Sequence, residues 1–251
     1  MFEELFAKAE IPSGKAILVH ARLRGAQEQT GEDYRILTDD LLHCLLASRP
    51  SLLLIPTYTI YGFMAMRIFH LEHAHSEVGR FSEEMRRRGY HRTPDPMFSV
   101  LDVLGTLPEG LNYLQTFGPN TLFDHLLHQD GIVINIDIPG FYATPVHHVE
   151  LQHAVPYRFI KNFNGHMQLK DEPWDKISYQ TYVRNVDLYG IGSYPPYNYE
   201  RRTNYLRDQG VITESRTRAG HLAWAPLSSF CSAIGEALKK DMLFLVDQPS
   251  E

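Results

Sequence analysis

The chain has almost no cysteine, no excess of positive charge and no long apolar run. Only Cys44 and Cys231 are present. Two thiols cannot complete a structural zinc site, and they suggest no disulfide framework. Cys44 lies inside "LLHCLLAS", where a thiol behaves as a small hydrophobe. No stretch approaches the roughly 20 apolar residues of a membrane-spanning helix. The opening "MFEELFAKAEIPSGK" is acidic and amphipathic and lacks the basic and apolar regions of an export signal. The expectation is a cytoplasmic protein with no membrane span. A net charge of −6 leaves no basic footprint for a nucleic-acid partner. Arg86, Arg87, Arg88 and Arg92 form one local cluster behind Glu83 and Glu84. It reads first as a solvated helix face and second as a small anion site.

Common nucleotide and nucleophile motifs are missing as well. "SGK" at Ser13 to Lys15 has no upstream glycine of a P-loop, and "YGIGSY" (Tyr189 to Tyr194) lacks the third glycine of a dinucleotide fingerprint. No G-x-S-x-G elbow occurs.

What is present is an ordinary globular composition. The chain has 251 residues and is 43% hydrophobic, enough for one large core. "AILVH" from Ala16 reads as a buried strand. "LTDDLLHCLLASR" reads as a helix capped by Thr38, and "SLLLIPTYT" as a second strand ended by Pro56. Strand, helix and strand in that order describe a parallel pair with a crossover. "SEVGRFSEEMRRRG" reads as a helix stopped by Gly89, and Met97 to Gly105 as a strand. "NTLFDHLLHQDG" reads as a helix capped by Asn120, and "IVINIDI" as a strand buried on both faces.

After Pro156 the texture changes. "YRFIKNFNGHMQLKD" suggests a hairpin turning at Asn164-Gly165. "VITESRTRAGHLAWA" suggests another near Ala219-Gly220, and "LSSFCSAIGEALKKD" a late amphipathic helix. The expected fold is α/β: a mixed central sheet flanked by helices, with an elaborated α+β C-terminal half. One domain spans 1–251, with a core over 1–155 and a substrate-side portion over 156–251.

The densest chemistry is "TPVHHVELQHAVPYR", Thr144 to Arg158. Thr144 can cap a helix with Pro145 in its first turn, and Pro156 stops it. His147 and Glu150 are three apart and share a face; His148 points elsewhere, and His153 drifts around the Glu150 side. A carboxylate holding one imidazole nitrogen fixes the tautomer and raises basicity at the other. Two further readings are open. The pair could be a helix-surface contact worth a few tenths of a kcal/mol. Glu150-x-x-His153 and Glu72-x-x-His75 could instead ligate a metal, but that arrangement needs four long helices and no metal is expected. The stretch also approaches the His-His-x-x-x-Asp motif of chloramphenicol-type acetyltransferases, with Gln152 where the aspartate belongs.

Four stretches in order, "ILVHARLRG", "LLIPTYT", "SEVGRFSEEMRRRGYHRTPDPMFSVLDVLG" and "TPVHHVE", resemble the aminoglycoside 3-N-acetyltransferase family. The likeness covers about residues 15 to 160. "VPYRFIKNFNG" looks like the family's relatives that acylate amino sugars of surface polysaccharides. The resemblance implies an acyl-CoA-dependent N-acyltransferase, with acetyl-CoA or another acyl-CoA as co-substrate. It implies catalytic roles for His147, Glu150, Thr144 and Asp95. It places Leu23, Arg24, Arg92 and Ser99 along the acyl-CoA groove, with oxyanion donors near Ser99 or at a nearby hydroxyl. A homodimer is the family-level expectation.

The chain departs from the antibiotic-modifying members at Ala21 and Arg22, where they carry serines, and at Asp95, where they carry histidine. Asp95 resembles the sugar-modifying relatives, and it could hold a cationic amine or cap its own turn. The implied acceptor is therefore an amino-deoxysugar, nucleotide-linked, with an aminoglycoside as the rival. An inactive acyl-CoA- or glycan-binding protein is the rival outside enzymes. The aromatics of "SYPPYNYERR" (Ser193 to Arg202) could stack on a sugar or base, or pack on their own protein.

Overall fold

The computed structural model describes residues 1–186 and 195–247. Helix α1 (Glu3–Ala9) precedes strand β1 (Ala16–Ala21). Helices α2 (Arg24–Thr30) and α3 (Tyr34–Ala47) lead to β2 (Leu52–Pro56). Next come α4 (Ile60–Met66), β3 (Ile68–His70), α5 (Arg80–Arg86), β4 (His91–Arg92) and β5 (Val100–Asp102). Helix α6 (Leu122–His128), β6 (Ile132–Ile136) and α7 (Val146–Gln152) follow. Then come β7 (Arg158–Gln168), β8 (Asp175–Arg184), α8 (Tyr199–Asp208), β9 (Thr213–Thr217), β10 (Gly220–Pro226) and α9 (Leu227–Lys240).

Seven strands form one mixed sheet in the order β4-β5-β2-β1-β6-β10-β9. Its centre, β2-β1-β6, is parallel, and its outer pairs are antiparallel. The side chains of the central strands alternate between two cores, as a sheet covered on both faces requires. Ile17, Val19, Leu53, Ile55, Ile132 and Ile134 join Leu41 and Leu45 of α3 and Phe81 and Met85 of α5 on one face. Leu18, Leu54 and Val133 face the other way, toward α6, α7, α9 and a second sheet, β3-β7-β8. The α/β class, the central mixed sheet and the strand–helix–strand unit follow the sequence reading.

Local boundaries differ from it in physically specific ways. Helix α3 starts four residues before Thr38, because Tyr34 and Leu37 extend its buried stripe. Asp33 caps it by accepting the Arg35 N–H at 2.8 Å. Thr38 lies inside, its hydroxyl donating to the Tyr34 carbonyl. Helix α6 is capped by Thr121 rather than Asn120. Asp124 accepts the Asn120 N–H at 2.9 Å, one residue before the cap, and so ties the entering chain to the first turn. The strand expected over Met97 to Gly105 shrinks to β5, because Asp95 draws the N–H groups of Met97 and Phe98 into a turn. The hairpin near Ala219-Gly220 is present, formed by β9 and β10.

No turn forms at Asn164-Gly165. Strand β7 runs straight through it, pairing Asn164 with Ser178 and Gly165 with Ile177. The glycine serves a close approach instead. A β-carbon there would sit 2.6 Å from the Arg67 carbonyl oxygen and 3.0 Å from the Phe63 ring. That carbonyl also accepts the His166 N–H at 2.8 Å, so it cannot step aside without breaking the junction between β3 and β7. Gly165→Ala should therefore destabilise the chain by about 1–3 kcal/mol. Urea titration reads this directly, and an unchanged midpoint would contradict the contact.

Candidate active site

The carboxyl ends of β1, β2 and β6 converge on a cavity of about 560 Å³. The chain leaves β1 toward β2 on one side, while β6 lies on the other. Such a switch point opens a crevice in which α/β proteins bind ligands. His20 and Ala21 end β1, Tyr58 follows β2, and Ile138 and Pro139 follow β6; all five line the cavity. Helix α4, strand β8, Tyr197, Tyr199 and Arg202 supply further walls.

The loop from β6 to α7 is held by one buried side chain. Asn135 donates to the Tyr142 carbonyl at 2.8 Å and accepts the Tyr142 N–H at 2.7 Å. Both peptide groups are thereby satisfied inside the protein. Helix α7 then begins with Pro145 at its N-cap and no side-chain cap, so Thr144 is not the cap its spacing suggests. Its hydroxyl lies 2.7 Å from the Tyr58 hydroxyl instead, and both residues line the cavity.

His147 and Glu150 meet as the three-residue spacing requires. Imidazole Nδ1 is 2.6 Å from Glu150 Oε2. Glu150 is fully buried and carries two more partners. Arg158 Nε lies 2.8 Å from Oε2, and the Tyr197 hydroxyl donates to Oε1 at 2.5 Å. That hydroxyl in turn accepts from Arg158. Burial alone would raise the Glu150 carboxyl, but Arg158, His147 and Tyr197 outweigh it and hold the group down at about 2. An ionised carboxylate only accepts, so Nδ1 carries the proton and Nε2 keeps its lone pair.

The imidazole itself is pushed down to about 4, by burial first and by the Arg158 charge second, with Glu150 opposing. At neutral pH it is a neutral ring with one basic nitrogen left for the cavity. Phe117 sets it edge-on at 5.4 Å. A surface contact is excluded by the burial of Glu150. His148 is 6% exposed with Nδ1 unpartnered. His153 bonds the Val149 carbonyl at 3.0 Å and packs on Gly235 of α9. Among the described residues no group of His, Cys, Asp and Glu side chains could hold a metal ion. Burial raises both thiols, Cys231 to about 12, which leaves neither as a ready nucleophile.

The remaining expected residues are placed elsewhere. Asp95 is buried behind the cavity wall. It accepts from Met97, Phe98, Tyr179 and Thr116, so it caps its own turn and does not line the cavity. Burial raises it to about 6 against those donors. Leu23 is fully buried in the α3-side core. Arg24 is exposed on α2 and pairs with Glu28 at 2.7 Å. Arg92 is a buried brace: it donates to the carbonyls of Leu71, Ala74 and Thr57 and to Ser99. Ser99 is fully buried and bonds Thr57. None of these four lines the cavity, and of the peptide N–H groups beside Ser99 that of Phe98 is taken by Asp95 and that of Val100 by the Thr93 hydroxyl. Arg86 and Arg87 pair with Glu83, and Arg88 with Asp39; only Arg87 fits the solvated-face reading of that cluster, since Arg86 and Arg88 are partly covered and Arg92 is buried.

Arg158, Tyr197, Tyr58, Arg202 and Asn135 were not singled out by spacing. Tyr197 and Arg202 belong to the aromatic stretch starting at Ser193, whose residues up to 194 lie outside the described residues, as does "YGIGSY".

The sequence matches no family model and no curated protein. Solved structures do match. Aminoglycoside acetyltransferase AAC(3)-Xa superposes with a TM-score of 0.73 at 15% identity, over 94% of this chain and 90% of that one. This is the aminoglycoside acetyltransferase fold. AAC-IIIb, solved with CoASH, gives a TM-score of 0.72 at 14% identity over 100% of this chain and 97% of that one. Sisomicin-bound AAC-VIa gives 0.70 at 14% identity, over 94% and 97%. In this chain that fold carries an oriented imidazole at the switch-point cavity. Among the described residues no helix is long and apolar enough to cross a membrane.

Proposed function

We propose that this chain is an acyl-CoA-dependent N-acyltransferase acting on the amine of an amino-deoxysugar, nucleotide-linked, with His147 as general base. The observation that carries the reading is the neutral imidazole whose Nδ1–H is spent on a buried, ionised Glu150. The likeness to a structure solved with CoASH supports the donor.

In the reaction the amine nitrogen attacks the thioester carbonyl. The new N–C bond forms, the C–S bond breaks, and the amine proton passes to His147 Nε2, directly or through water. The departing thiolate takes a proton. Glu150 holds the imidazolium that forms. The hydroxyls of Tyr58 and Thr144 stand at the cavity wall bonded to each other; one O–H is spent on that bond, and the other is the donor for the developing oxyanion. No covalent acyl-enzyme is required.

The rival acceptor is an aminoglycoside, which the sisomicin-bound neighbour favours. Thiol release from acetyl-CoA, measured against nucleotide-linked amino sugars and against aminoglycosides, separates the two. Turnover with the nucleotide-linked sugars is expected. Turnover only with aminoglycosides would replace the acceptor, and no turnover with any amine would leave a binding protein.

A further inference from the structure

The cavity wall carries three arginines and, among the described residues, no carboxylate. Arg158 is committed to Glu150 and Tyr197. Arg184 reaches the Pro195 carbonyl and lies over the Tyr197 ring. Arg202 stands apart. It is 2% exposed, yet among the described residues its side chain makes a single hydrogen bond, to the Phe141 carbonyl. Its Nε has no partner, and it pairs with no described carboxylate. Its guanidinium carbon lies 4.9 Å from the Tyr199 ring centroid and 5.9 Å from that of Tyr142. Those two rings stack on each other at 4.4 Å.

His20, at the end of β1, shares this corner, and its Nε2 is likewise buried without a partner. Burial, then the Arg202 charge, lowers the imidazole to about 4, so it is neutral and can turn an N–H to a ligand. A guanidinium held this deep with no ion-pair partner in contact among the described residues, and only the field of Glu150 to offset its burial, is costly. Its planar fork matches a phosphoryl group.

We propose that Arg202 and His20 form a subsite for a phosphoryl group brought in by one of the two substrates. The inference rests on the acyltransferase reading above and deepens it. Two sources share the chemistry: the diphosphate of a nucleotide-linked acceptor, and the phosphates of coenzyme A. A polycationic acceptor would meet like charge at this wall, which disfavours it.

The test uses the full chain and inorganic diphosphate as the probe. Calorimetry should show diphosphate binding to the wild type, weakened about 10- to 100-fold in Arg202→Met and less in Arg202→Lys. In steady-state kinetics Arg202→Met should raise the KM of one substrate by a similar factor, with kcat nearly unchanged. A rise for the nucleotide-linked sugar assigns the acceptor's diphosphate; a rise for acyl-CoA assigns the coenzyme.

Absence of diphosphate binding to the wild type overturns the subsite, even if acyl transfer is normal. Arg202-dependent diphosphate binding in a chain that acylates nothing leaves the subsite standing and removes the acyltransferase reading. If Arg202→Met fails to fold, as thermal melting would show, His20→Asn and the wild-type titration decide.

Discussion

His147→Gln is expected to lower kcat by about 10²- to 10⁴-fold, the range of a lost general base. Glutamine can keep a hydrogen bond to Glu150 but has no basic nitrogen to offer the amine. KM should move little, because the side chain presents one small polar edge to a cavity otherwise walled by other residues. The pH dependence gives a second, independent reading. Burial lowers the imidazole to about 4, so the base form persists as pH falls through the ordinary histidine range. At saturating substrate, kcat should therefore show no His147 limb down to about pH 5. Near-normal turnover in the variant would remove His147 from the reaction, and a wild-type acid limb near 6.5 would mean the ring is not held as described.

The second large effect is on stability. Glu150→Ala should cost about 3–5 kcal/mol, because it strands the Arg158 charge in the interior. The Arg158 side chain is only 6% exposed, and Tyr197 would lose the acceptor for its hydroxyl. For a chain of this size such a loss lowers the melting temperature by roughly 10 °C or more. The double variant Glu150→Leu/Arg158→Met removes both charges and should recover much of the stability while remaining inactive. A loss below about 1 kcal/mol in the single variant, measured by guanidinium titration, would sink the network. The sign with pH follows from the lowered carboxyl. Glu150 contributes stability above its unfolded value near 4.5, and that contribution fades as pH falls toward about 2.

Much of the frame was readable residue by residue. β1, β2 and β6 are short β-branched or leucine runs, and a strand buried on both faces must look that way. The pairing of His147 with Glu150 needs only helical spacing, so it too was visible. Elements set by distant contacts were not. Asn164-Gly165 has the composition of a turn, but its glycine answers a carbonyl nearly a hundred positions away in the chain. Caps shifted because buried stripes continued past the nominal cap residue. Arg158 lies eight positions beyond Glu150 and Tyr197 far beyond that; no local period links them, and only the folded chain brings all three together. Arg92 and Asp95 illustrate the converse. Charged residues in a recognisable block look like ligand groups, yet here Asp95 satisfies N–H groups of its own turn and Arg92 the carbonyls of distant segments.

The pairing of β6 also bears on how the protein is made. The strand that leads into the loop before α7 lies between β1 and β10, matching Ile17 with Ile132 and Pro226 with Ile132 from opposite sides. Both partners are remote in the chain, so loop-closure entropy must be met before either pairing forms. During synthesis β6 keeps one bare edge until the residues of β10 emerge. That edge is apolar and ready to accept a foreign strand. The last strand added is therefore also the guard that keeps the nascent chain from aggregating through the strand that leads to its own switch-point cavity.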